Sequence, residues 1–109
     1  MVIDEKFYVG KAKDRQIIRM VRGIRYFHKV RYVPGVFVVT LPLFGDGILE
    51  IYEMNEFRQK IYKDMSDSIH IVGAATTRAQ AISLVRDIID DIYKKTGGVD
   101  VKGFFRAEG

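Results

Sequence analysis

A chain of 109 residues with 48% hydrophobic side chains, including seven Phe and six Tyr, is long and apolar enough to bury one core unaided by a metal or a disulfide, which argues against intrinsic disorder. It contains no cysteine, which excludes disulfides, thiol catalysis, iron–sulfur clusters and sulfur-ligated zinc. The net charge of +4 is unevenly spread: residues 11–31 carry eight cations (Lys11, Lys13, Arg15, Arg19, Arg22, Arg25, Lys29 and Arg31) against Asp14 alone, a local +7, so the other 88 residues sum to −3.

In chain order, residues 6–9 form a short strand. Acidic residues stand where a signal peptide would carry positive charge, and no apolar run approaches the ~18 residues of a membrane span. The expectation is a soluble, cytoplasmic domain covering residues 1–109. Asp14 is placed to cap a helix that runs to about Phe27. Residues 29–33 and 36–41 are extended around a Pro34-Gly35 turn, in which proline presets φ and glycine accepts a positive φ. Pro42 ends the second segment or sets it at a sheet edge, and a turn at 45–47 leads into a hairpin partner at 48–53.

Asn55 then caps a helix whose stripe is Met54, Phe57, Ile61 and Met65. Residues 68–75 are a strand. Thr77-x-x-Gln80 is a capping-box pattern, and the helix after it presents Ala81, Ile82, Val85, Ile88, Ile89, Ile92 and Tyr93 before Gly97-Gly98 stops it. Residues 99–105 read as a last strand, making 68–105 a parallel strand–helix–strand crossover. The fold class that results is α+β (mixed α/β): a single layer of helices on a four- to six-stranded mixed sheet, in the order (β)αβββαβαβ.

Catalytic and metal chemistry find little support. His28 and His70 lack acidic neighbours at ligand spacing. Ser68 and His70 stand ~6.5 Å apart along a strand, too far for a nucleophile and its base, so His70 is assigned a structural role. Asp87, Asp90 and Asp91 belong to a solvated face of i,i+4 pairs with Arg86, Lys94 and Lys95. The 72–77 turn has one glycine and no phosphate-loop pattern. Residues 102–105 match only the start of an RNA-binding aromatic strand, which names no family. The chain is therefore expected to be non-enzymatic, with no cofactor and no metal.

The remaining signal is the basic helix. With Arg15 at 0° and 100° per residue, Arg19, Arg22, Arg25, Tyr26 and Lys29 fall within about 80° of it, while Ile17, Met20, Val21, Ile24 and Phe27 lie opposite and Gly23 marks the boundary. The candidate binding residues are Arg15, Arg19, Arg22, Arg25, Tyr26, Lys29, Arg31 and Tyr32, a cationic surface on which Tyr26, Phe27 and Tyr32 offer rings for stacking and which suits a polyanion, foremost nucleic acid. The alternatives are a protein–protein interaction module, an inhibitor or regulator docking an acidic protein, and a face that is merely solvated. Membrane contact is not expected, because the apolar stripe would first have to leave the core. A homodimer through an exposed edge at 36–41 or through a helix face is a further expectation.

Overall fold

A computed structural model describes residues 1–9, 14–44 and 47–105. The chain forms β1 (Val2–Val9), α1 (Arg15–Phe27), β2 (Phe37–Thr40), β3 (Glu50–Glu53), a 3-10 turn (Met54–Arg58), α2 (Lys60–Asp64), a second 3-10 turn (Ser66–Ser68), β4 (His70–Ala75), α3 (Arg78–Thr96) and α4 (Val101–Phe105). Among the described residues the sheet has four strands, in the order β1-β4-β2-β3. β1 runs parallel to β4, and β2 is antiparallel to both β4 and β3. The α+β class with a mixed sheet is thus the observed architecture.

Strand alternation sends successive side chains to opposite faces, and both faces are covered. Val38 and Ile71 join Ile17, Met20 and Ile24 of α1, with Met54 and Phe57 of the first 3-10 turn. Val39 and Val72 join Leu84, Ile88 and Ile92 of α3, with Val101 and Phe105 of α4. The helices therefore form two layers around the sheet, where the sequence reading put them in one.

Irregularities in the strands bring polar groups inward. Between Ile3↔Ile71 and Tyr8↔Gly73, β1 advances five residues against two on β4, so three extra residues bulge out. Asp4 lies in that bulge, 5% exposed. On β4 a further bulge at Val72 precedes Gly73, where a Cβ would stand 2.9 Å from Leu84 Cδ2 and 3.1 Å from the Tyr8 carbonyl oxygen. Only glycine lets β1 and α3 approach that closely.

Several sequence expectations are corrected. Residues 29–33 form no strand. Residues 36–41 are no edge, because β2 lies between β4 and β3, and Pro42 simply follows the strand's end. The helix expected after Asn55 breaks at Gln59, whose backbone is extended; the Glu53 N–H donates to the Glu56 carboxylate at 2.7 Å, so Glu53 and not Asn55 begins the turn. Ile61 is consequently exposed while Phe57 is buried. In α3 the buried stripe is Ala81, Leu84, Ile88 and Ile92, which leaves Ile82 and Tyr93 outside. Thr77 accepts from the Gln80 N–H at 3.1 Å, but the Gln80 side chain reaches Thr76 instead of closing the box on Thr77. Gly97, at φ 76°, ends the helix as expected.

The last strand of the sequence reading is α4. Asp100 accepts from the Gly103 N–H at 3.0 Å through its side chain and from the Phe104 N–H at 3.0 Å through its carbonyl. Val101 and Phe105, four residues apart, then meet the α3 layer. The parallel partner of β4 is β1, so no crossover runs through residues 68–105.

Candidate nucleic-acid interface

Helix α1 begins where the Asp14 carboxylate accepts from the Gln16 N–H at 2.7 Å. Ile17, Met20, Gly23 and Ile24 are its buried residues. That three- and four-residue rhythm seats one side of the helix on the sheet and turns Arg15, Arg19 and Arg22 toward solvent. The helix stops at His28, which adopts the left-handed conformation at φ 52°. The N–H groups of His28 and Lys29 both fold back onto the Gly23 carbonyl oxygen, the latter at 2.9 Å.

This return demands glycine at position 23. A Cβ there would stand 2.9 Å from the Lys29 carbonyl oxygen, a backbone atom that cannot swing aside. Because the chain doubles back so closely, Lys29 and Arg31 come to lie beside Arg19 and Arg22. The four cations, with Gly23 and Phe27, line a cleft of about 400 Å³. Phe27 is 71% exposed. Among the described residues no carboxylate pairs with any of the four, whereas Lys60–Asp64, Lys94–Asp90 and Lys95–Asp91 are all ion-paired elsewhere on the surface. The α1 C-terminus, with its unsatisfied carbonyls, favours nearby cations by ~0.3–1 kcal/mol each. That offsets part of the mutual repulsion and leaves a concentrated positive potential at the cleft.

The other sequence candidates have different surroundings. The Arg25 guanidinium donates to the Asp4 carbonyl oxygen at 3.0 Å, tying α1 to the β1 bulge. Tyr26 is 66% exposed but outside the cleft lining, and Arg15 is exposed at the first turn. Tyr32 is half-buried against the α1 side of the core, with Lys63 Nζ 5.6 Å above its ring. Lys11 and Lys13 lie outside the described residues. The helical wheel puts Phe27 with the docking stripe, whereas the stacking reading counts it with Tyr26 and Tyr32; the structure exposes the ring, because the buried stripe ends at Ile24, one turn earlier. A phenylalanine at the end of a helix, followed at once by His28 and Lys29, was the available signal.

A second, polar cleft of about 380 Å³ is lined by Leu41, Pro42, Asp67, Ser68, His70 and Lys102. His70 Nε2 is 2.7 Å from Asp4 Oδ2, and the Lys6 N–H donates to Asp4 Oδ1 at 2.8 Å. A carboxylate this deeply buried needs such partners. Ser68 makes no hydrogen bond to the imidazole among the described residues, nor do three or more metal-ligating side chains converge there. A further, half-buried contact involves Tyr8, whose hydroxyl donates to Asp91. That hydrogen bond, followed by the one from Lys95, holds the Asp91 carboxyl below its ordinary value, while burial and then the same hydrogen bond push the Tyr8 hydroxyl well up.

Among the described residues no helix is long and apolar enough to cross a membrane. Comparison of the chain with protein-family models, curated proteins and solved structures finds no match.

Proposed function

We propose that this chain is a small non-enzymatic binding module that holds the phosphates of a nucleic acid in the cationic cleft at the C-terminal end of α1. The observation that carries this reading is the convergence of Arg19, Arg22, Lys29 and Arg31 without a carboxylate partner among the described residues. Guanidinium forks match phosphate oxygens in geometry as well as charge, and a polyanion relieves the repulsion among the four. The cysteine-free composition suits a cytoplasmic setting.

The test is a salt titration of oligonucleotide binding followed by fluorescence anisotropy. Four phosphate contacts predict a slope of log K against log salt of about −2.8 for a single strand or about −3.6 for a duplex, at roughly −0.7 and −0.9 per contact. The double substitution Arg22→Glu/Lys29→Glu should weaken binding and flatten the slope by two contacts, with the circular dichroism spectrum unchanged because both residues are exposed. Arg25 is a poor choice for this reversal, since its guanidinium is bonded to Asp4. An unchanged affinity and slope would overturn the proposal.

A second reading, docking of an acidic protein, draws on the exposed ring of Tyr26 beside the cations, since tyrosine and arginine anchor protein interfaces. Its complex would survive nuclease and weaken on Tyr26→Ala.

A further inference from the structure

We infer that the cleft takes unpaired nucleotides, with one base stacked on Phe27 and the neighbouring phosphates held by the four cations. This rests on the phosphate-binding reading above and narrows it to single-stranded nucleic acid.

Three features of the site favour a single strand. Phe27 is 71% exposed and is the aromatic ring in the wall of the cationic cleft. In a duplex the base faces are already stacked on one another, so a ring presented beside phosphate-binding cations meets a base face only where pairing is absent. The volume of about 400 Å³ lies low in the range of ~300–1,000 Å³ typical of small-ligand pockets, a size for one nucleotide unit. The cations also come from two segments: Arg19 and Arg22 from the helix, Lys29 and Arg31 from the return that doubles back beside it. An α-helix with its side chains is about 10–12 Å across and by itself fills a major groove of about 12 Å. The return segment broadens this end of α1 beyond what the groove admits, but it makes a two-walled slot in which a flexible backbone can lie.

The chain contains no tryptophan, so Phe27→Trp would place a single fluorescent reporter at the stacking position. The experiment measures binding of oligouridine, oligothymidine and a mixed-sequence duplex to the wild type and to Phe27→Ala, Phe27→Trp and Arg22→Glu/Lys29→Glu at one salt concentration. The wild type should prefer the single strands roughly tenfold or more. Phe27→Ala should lose roughly five- to 150-fold on single strands and little on duplex. Phe27→Trp should bind single strands at least as well as the wild type, with its emission quenched on binding. Equal or tighter duplex binding, or Phe27→Ala binding single strands like the wild type, overturns the single-strand inference and leaves the phosphate reading standing. If instead the charge-reversed variant binds every oligonucleotide as the wild type does, or nothing binds at all, the phosphate reading fails and this inference with it. All four proteins should share one circular dichroism spectrum, since the three altered side chains are exposed.

Discussion

Replacing Gly23 by alanine tests the local geometry that makes the cleft, because the expected effect has the opposite sign from the usual one. At an ordinary exposed helical position, Gly→Ala stabilises by about 1 kcal/mol through backbone entropy and solvation. At position 23 the new methyl would sit 2.9 Å from the Lys29 carbonyl oxygen. That oxygen is part of the return held by the N–H of Lys29 on the Gly23 carbonyl at 2.9 Å, so relief requires moving backbone and weakening that bond. Crowding of this kind costs about 1–3 kcal/mol. With the propensity gain subtracted, the variant should be destabilised by about 1 kcal/mol, a fall in melting temperature of roughly 4 °C or more for a domain near this size. Urea and thermal unfolding followed by circular dichroism measure it directly. The variant should also bind oligonucleotides more weakly, since the shift carries Lys29 and Arg31 away from Arg19 and Arg22. A gain in stability of the size that propensity alone provides would refute the account of the return.

In α3, Ile88→Ala should cost about 2–5 kcal/mol, because Ile88 is fully buried, and Ile89→Ala clearly less, because Ile89 is half-buried; similar urea midpoints for the two would show the helix to be rotated from the position described. Arg25→Gln should lower stability by roughly 1 kcal/mol through loss of its hydrogen bond to the Asp4 carbonyl while leaving the salt slope of nucleic-acid binding within half a contact of wild type, and a slope flattened by a full contact would return Arg25 to the phosphate set. The lowered carboxyl of Asp91 contributes stability that is present above the ordinary carboxylate range and is lost as pH falls through its depressed folded value. Tyr8→Phe, which removes the leading cause of that shift, should therefore destabilise at neutral pH, with the gap to wild type narrowing in acid; a gap that widens in acid contradicts the assigned hydrogen bond.

Local signals carried α1 and α3 well. The Asp14 cap, the Ile17–Met20–Ile24 rhythm, the Thr77 cap and the Gly97 stop are short-range features, and each appears where the sequence reading placed it. Residues 99–105 failed because V-D-V-K-G-F-F satisfies alternation and a four-residue repeat equally, and the choice fell to two hydrogen bonds accepted by Asp100. The 36–41 segment failed as an edge for a different reason: strand order is a long-range property, and nothing within the segment records that β4 and β3 flank it. Three quarters of the cleft's positive charge was legible as a helix face plus Lys29, and Arg31 was added from the charge count. What the wheel could not supply was the left-handed His28 and the close return over Gly23, which place Lys29 and Arg31 beside the helix and leave Phe27 in the open. Likewise Arg25 looked equivalent to Arg22 on the wheel, and only the β1 bulge brings an acceptor to it.

The most direct measurement is a chemical-shift titration of the isotope-labelled protein with a short single-stranded oligonucleotide at low salt. The account predicts that the amides of Arg19, Arg22, Gly23, Phe27, Lys29 and Arg31 move together and saturate on one isotherm, while Ile88 and Ile92 on the opposite layer stay in place. Shifts centred on the polar cleft of Ser68, His70 and Lys102, or spread evenly over every exposed lysine and arginine, would contradict it.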